Sequence, residues 1–279
     1  MRGWLALRGT KLQWGARTLI MGIVNVTPDS FSGDGLENET DAVARAVEQR
    51  EAGADIVDIG GESTRPGHRP IDEALEMARV LPVVRALRSQ LPAAPISIDS
   101  YKPAIVRAAH AAGADLLNSV WGAPDELLDV VAELGMPIVA MHNQIGTSYD
   151  GSVVDAVLRY LEDCAARASA RAILPERIIL DPGIGFGKTA DQNLELLQAL
   201  DRIVALGFPT MIGTSRKSTI GKLTGRTAAD RVYGTAATTA LAVRSGIDMV
   251  RVHDVAAARD AAAVADAIVR GWRPADWTP

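Results

Sequence analysis

The stretch "RIILDPGIGFGKT", residues 177–189, holds one carboxylate, Asp181, then glycines at 183, 185 and 187, then Lys188 and Thr189. Glycines followed by Lys-Thr are the ingredients of a nucleotide-binding P-loop, G-x-x-x-x-G-K-[ST], whose fixed length lets backbone N–H groups wrap the phosphates. Counted back from Gly187, the first glycine of that pattern falls on Pro182, which has no N–H to give. Gly183 is one residue too close. The dinucleotide pattern G-x-G-x-x-G also fails, because its third glycine comes one residue early. The stretch therefore reads as an apolar strand ended by a carboxylate and followed by a glycine-rich loop. On this reading Asp181 carries the chemistry, and Lys188 is peripheral, stabilising the loop at most.

Other apolar runs end in the same way. Asn25 precedes "VTPDSFSGDG", and "GGESTRPG" brings Thr64 and Arg65. Asp99, Asn118 and His142 end three further runs, "GTSRKS" holds Arg216, Lys217 and Ser218, and Arg251 and His253 close the last. A single Asp or Asn at such a place is an ordinary turn or cap residue. A polar residue at every run end asks for another reason. Asp99, Asn118 and Asp181 are rich in acceptors, with Asn118 able to donate as well, and suit a flat ring with amidine-like N–H groups. Arg65, Arg251, His253 and Lys217 are donors that suit phosphate oxygens. Asn25 offers a carbonyl oxygen to a hard cation such as Mg2+, with water and phosphate completing the shell. Neither a Ser-His-Asp order nor an H-E-x-x-H stands out, so covalent catalysis is not the first expectation.

Elements of one kind must hold these residues. "EAGADIVDIG" at 51–60 is echoed by "AAGADLLNSV" at 111–120 and "RSGIDMVRVH" at 244–253. Each reads as a helix end, a glycine cap, then a strand apolar on both faces, as in a buried parallel sheet. The spacing predicts strands over 19–25, 55–60, 95–99, 115–119, 137–141, 177–181, 209–213 and 248–253. It predicts helices over 40–52, 71–90, 103–112, 124–134, 152–172, 190–206, 230–245 and 255–270. Eight βα units in this length fit an α/β fold of the (β/α)8 TIM-barrel type, with an open doubly wound sheet as the rival. In a barrel the run ends above share one mouth. Residues 4–14 read as a β-hairpin plugging the barrel's bottom. The expected organisation is one domain over 1–279, with the hairpin in 1–18, the barrel over 19–271 and a tail at 272–279.

The composition, 48% apolar and 23% charged over 279 residues, is ordinary for a globular chain of this size. A net charge of −5 argues against non-specific nucleic-acid binding, so local cations must hold any anionic ligand. The single cysteine, Cys164, excludes an internal disulfide and reads as helix packing. No uncharged apolar run reaches 18 residues, and "MRGWLALRG" lacks the apolar length of a signal peptide. A cytoplasmic protein without membrane partners is expected.

Six segments closely resemble the dihydropteroate synthases of folate biosynthesis: "MGIVNVTPDSFS", "GADIVDIGGESTRPG", "ISIDSYKP", "DPGIGFGKT", "IGTSRKSTIG" and "VRVHDV", in family order between residues 21 and 255. The resemblance implies a (β/α)8 barrel and a homodimer. It implies condensation of 6-hydroxymethyl-7,8-dihydropterin diphosphate with p-aminobenzoate, releasing diphosphate with Mg2+. It places the pterin on Asp99, Asn118, Asp181 and Lys217, and the diphosphate and metal on Asn25, Arg65, Arg251 and His253. Thr64, Phe186, Arg216, Lys217 and Ser218 would border the p-aminobenzoate pocket. The chain departs from the family at Ser119, where aspartate is usual, in "FSGDG", at Thr219 and after "MH" in "MHNQIG". Two other functions compete: a methyltetrahydrofolate-type methyltransferase, and a silent paralogue that only binds pterin. The first has little use for "STRPG" and "SRKS", and the second should have lost part of the Arg65, Arg251 and His253 set.

Overall fold

Eight short apolar runs form parallel strands where the spacing predicts them. The computed structural model describes residues 3–27, 35–36, 38–63 and 70–278. The strands are β3 (Leu19–Asn25), β4 (Ile56–Gly60), β5 (Ile96–Asp99), β6 (Leu116–Ser119), β7 (Ile138–Met141), β8 (Ile178–Asp181), β9 (Met211–Ile212) and β10 (Met249–Val252). Their order in the sheet is β8-β7-β6-β5-β4-β3-β10-β9. A parallel bridge between Leu180 and Thr210 joins the two ends, with the Leu180 N–H donating to Pro209 O at 2.9 Å. That contact decides for the barrel over an open sheet. β9 is shorter than predicted because Pro209 brings no donor and the Thr210 N–H is spent on the Asp248 carboxylate.

Helices follow the strands: α1 (Glu39–Glu51), α2 (Glu73–Gln90), α3 (Pro103–Ala112), α4 (Asp125–Leu134), α5 (Val153–Ala170), α6 (Ala190–Gln198), α7 (Leu200–Val204), α8 (Ser218–Thr224), α9 (Val232–Ser245) and α10 (Val255–Val269). Gly113, Gly135 and Gly246 end their helices at positive φ, as the repeated glycine implied. The helix expected over 190–206 breaks at Ala199 into α6 and α7, and α8 is an element the spacing did not reveal. No described helix is long and apolar enough to cross a membrane.

β1 (Trp4–Leu7) and β2 (Thr10–Gln13) pair as the expected antiparallel hairpin. Leu5, Leu7 and Trp14 are buried against Met21, Ile56, Leu116, Val139, Ile179, Met211 and Met249, the lowest inward side chains of seven strands. Trp14 Nε1 donates to Glu176 O at 2.9 Å, so the ring is buried with its polar atom satisfied. The hairpin closes the barrel floor and leaves the other end for the site.

Candidate functional site

Register decides which strand residues face inward. Ile23 pairs with Asp58, Asp58 with Ser97, Asn25 with Gly60, Gly60 with Asp99, Asp99 with Asn118, and Met141 with Asp181. Side chains alternate along a strand, so these residues all share the barrel interior above the apolar floor. Asn118, Asp181, Lys217, Arg251, His253 and Phe186 line one cavity at the strand C-termini. Ile23, Val120, Met141 and Met211 supply its apolar wall.

Asp58 is buried at the centre of the polar floor. Its Oδ2 accepts from Asn118 Nδ2 at 2.9 Å and from Arg251 Nε at 2.6 Å. Arg251 Nη2 reaches Asp99 Oδ2 at 2.7 Å. The expected acceptor and donor patches thus meet at Arg251, which is paired to two carboxylates. Asn118 is narrower in role than its type suggested: one of its two amide N–H donors is committed to Asp58, which fixes the amide's orientation and leaves Oδ1 as an uncommitted acceptor. Burial, against the opposing pull of Arg251, pushes the Asp99 carboxyl up to about 7, and the Asp58 charge adds to the rise. Oδ1 of Asp58 and Oδ1 of Asp99 are buried without a hydrogen-bond partner among the described residues.

Asp181 Oδ1 accepts the Gly183 N–H at 2.7 Å, and the carboxylate still borders the cavity. Burial raises its pKa, with Lys217 as the strongest opposing charge. Lys217 caps the N-terminus of α8, donates to Ile184 O, and lies 4.4 Å over the Phe186 ring. Burial lowers the Lys217 ammonium to about 7, Asp181 resists the fall and Arg251 adds to it. Ser215 Oγ accepts the His253 N–H at 3.1 Å and lies 2.9 Å from Nδ1. Asn25 stands at the end of β3. Its Oδ1 and Asp99 Oδ2 lie 3.8 and 3.7 Å from where a side chain on Gly60 would begin, so the glycine keeps that floor open.

Other expected residues stand aside. Thr64 and Arg65 lie outside the described residues, as does most of the first loop. Arg216, at φ +59°, turns its guanidinium to Asp254, with Nε donating to Oδ2 at 2.9 Å. Ser218 is exposed on α8. His142 follows inward-facing Met141, so alternation turns it out of the mouth and behind the glycine loop. Ser119 likewise faces the helix layer and is fully buried.

The glycine loop is no anion cradle. Its N–H groups are spent at home: Gly183 on Asp181, Gly185 on Asn193 Oδ1 at 2.6 Å and Phe186 on Gly183 O at 3.1 Å. Thr189 forms a capping box with Gln192 at the start of α6. Lys188 is buried, not peripheral, and its ammonium is held by His142 Nδ1 and the carbonyls of Gly183 and Phe186.

Residues 21–253 match the sequence profile of the family described as "Pterin binding enzyme". The dihydropteroate synthase of Clostridium beijerinckii is 45% identical over 260 residues, which is 92% of this chain and 96% of that protein. The chain belongs to the dihydropteroate synthase family. Two solved members superpose closely. The Xanthomonas albilineans enzyme with 4-aminobenzoic acid gives a TM-score of 0.89 at 41% identity, covering 98% of this chain and all of that one. The Thermus thermophilus enzyme in complex with 6HMPPP gives 0.84 at 40% identity, covering 95% and 99%.

Within that family frame, two polar groups had escaped the sequence reading. Asp58 was visible only as one acid inside the apolar strand "IVDIG", a costly placement that has to have a partner. The second lies beside the mouth. Lys102 Nζ joins Glu62 Oε2 and Glu76 Oε2, at 2.5 and 2.7 Å, to Ile71 O at 2.7 Å, and Tyr101 OH donates to Glu62 Oε1 at 2.8 Å.

Proposed function

We propose that this cavity condenses 6-hydroxymethyl-7,8-dihydropterin diphosphate with p-aminobenzoate to give 7,8-dihydropteroate and diphosphate. The observation that carries the reading is the commitment of Asn118 Nδ2 to Asp58. It leaves Asn118 Oδ1 and Asp181 as acceptors on one cavity, with Asp99 behind them on Arg251, the complement of a ring edge made of N–H donors. Lys217 completes the pterin set. Arg251, whose Nε and Nη2 are committed, keeps Nη1 for the diphosphate beside His253 and, by family resemblance, Arg65. Phe186 and Lys217 face the p-aminobenzoate side, where family resemblance would add Thr64, Arg216 and Ser218. A methyl-transfer reading leaves the Arg251 and His253 side of the cavity without a ligand.

The reaction begins with loss of the diphosphate. Negative charge grows on the departing oxygens as the carbon–oxygen bond breaks, and fixed donors aimed there lower the barrier. The aromatic amine then attacks the pterin cation and becomes acidic once alkylated, so no strong base is needed. The residues fit a divalent cation held mainly by substrate. Asn25 offers a neutral oxygen close to Asp99, whose Oδ1 is buried without a partner, and no cluster of three His, Cys, Asp or Glu side chains suited to a metal occurs among the described residues. Mg2+ on Asn25, waters and the diphosphate would neutralise the leaving group. Exposed Tyr233 and Leu241 on α9 and Val264 and Ile268 on α10 supply apolar surface for a homodimer. A cytoplasmic location accords with the folate pathway.

Incubating the protein with the pterin diphosphate, p-aminobenzoate and Mg2+ tests the reading. Dihydropteroate and diphosphate should appear in equal amounts. Absence of product would overturn the reaction, and full turnover in excess EDTA would overturn the metal.

A further inference from the structure

Lys188 and His142 play no part in the chemistry above, yet both are buried at the root of the loop that carries Phe186. A buried ammonium is costly unless its donors are matched. Here three acceptors meet three donors: His142 Nδ1 at 2.9 Å, Gly183 O at 3.0 Å and Phe186 O at 2.9 Å. The arrangement needs an unprotonated Nδ1, and burial beside the Lys188 charge pushes the imidazole down to about 3. His142 is itself held, its ring edge-on to Tyr160 with centroids 4.9 Å apart. Tyr149 OH donates to Gly187 O at 2.9 Å from the same side. The glycines let the loop lie flat on this support: a Cβ on Gly183 would fall 1.9 Å from His142 O, and one on Gly187 2.5 Å from Gln144 O. On its other side the same loop presents the Phe186 ring and the Ile184 carbonyl to Lys217.

We infer that Lys188 and His142 form a clamp that positions Phe186 for the aromatic amine, so that Lys188 is a positioning residue for the second substrate. The inference rests on Phe186 bordering the p-aminobenzoate side of the reaction proposed above. The clamp explains why a lysine follows the glycines in a loop that wraps no phosphate.

Lys188→Met keeps the side-chain length and removes all three donors. It should raise KM for p-aminobenzoate at least tenfold, while the Kd for the pterin diphosphate with Mg2+ shifts less than threefold. An unchanged KM, or equal losses for both substrates, would overturn the clamp. A second pair of variants covers a methionine variant that does not fold. His142→Asn returns an acceptor at the place of Nδ1 and should hold KM within threefold of wild type, whereas His142→Phe should raise it as Lys188→Met does. Equal KM values in the asparagine and phenylalanine variants would overturn it. Where both single variants fold, Lys188→Met with His142→Phe should be no worse than the more damaging of the two, and independent effects would overturn the coupling. Wild-type protein that makes no dihydropteroate would remove the underlying reading and the clamp with it. Active wild type with unchanged KM in the variants would remove the clamp alone.

Discussion

Asp58→Asn keeps the shape of the central carboxylate and removes its charge, which separates hydrogen bonding from electrostatics. Asp58 Oδ2 alone accepts both from Asn118 Nδ2 and from Arg251 Nε, while Oδ1 is buried without a partner among the described residues. An asparagine with its oxygen at the place of Oδ2 keeps both bonds, and its amide nitrogen takes the place of Oδ1. Asn118 then keeps its orientation, and the ring affinity should change little. Asp58→Ala removes the shared acceptor and frees the Asn118 amide to turn Nδ2 into the cavity, donor against the ring's N–H edge. A buried mismatch of this kind costs ~1–3 kcal/mol, so pterin binding should weaken by roughly 5- to 150-fold. The truncated variant should therefore bind pterin worse than the isosteric one.

Calorimetric titration of both variants with 6-hydroxymethylpterin, which lacks the diphosphate, isolates the ring. Denaturation should also damage the alanine variant more, because only the alanine opens a cavity under Arg251. If Asp58→Asn binds the ring as poorly as Asp58→Ala, Asp58 acts by its charge, and its control of the Asn118 amide is refuted.

Arg251→Ala should lower kcat by ~10²–10³-fold through loss of a donor at the leaving group. Steady-state kinetics beside ring titration checks this, and an equal loss of ring affinity would move Arg251 to the ring. His142 stays unprotonated in the folded state to about 3, well under its ordinary 6.5, so the unfolded chain alone takes up a proton between those values. Its contribution is complete above pH 6.5 and shrinks as pH falls, by ~1.4 kcal/mol per unit. Urea midpoints from pH 7 to pH 4 should therefore fall less steeply for His142→Asn than for wild type; parallel slopes would show that the imidazole is not held neutral. Trp14→Ala should destabilise by ~3–5 kcal/mol through the emptied barrel floor, read by denaturant titration, with pterin affinity at low temperature unchanged.

The barrel was legible because its signals are local and repeated. Gly53, Gly113 and Gly246 each sit at positive φ before a strand, a requirement the sequence displays directly. Barrel topology then put Asp99, Asn118 and Asp181, as strand ends, at one mouth. The break at Ala199 was not legible, since no glycine or proline marks it, and α8, though it ends on Gly225 at positive φ, is too short to show an apolar period. They follow from where the chain after β8 and β9 packs.

The site was legible as a set of residue types and illegible as a set of commitments. Asn118 read as both donor and acceptor because its sequence says nothing of Asp58, 60 residues away, which takes one of its N–H donors and fixes the amide. Arg251 read as a leaving-group donor because the two carboxylates that bind it lie 193 and 152 residues distant. Lys188 read as peripheral for the same reason: the third acceptor of its ammonium, His142, is on another strand's end, 46 residues earlier. In each case the side chain has a fixed number of donors, and what remains for a ligand is what the fold has not already used. A phosphate loop and this loop draw on the same residues, glycine for positive φ and lysine for charge. They differ in where the N–H groups point. Here Gly183, Gly185 and Phe186 turn theirs to Asp181, Asn193 and the loop's own carbonyl. The lysine faces carbonyl oxygens, and the ring-reading carboxylate at the strand end is what the loop leaves for chemistry.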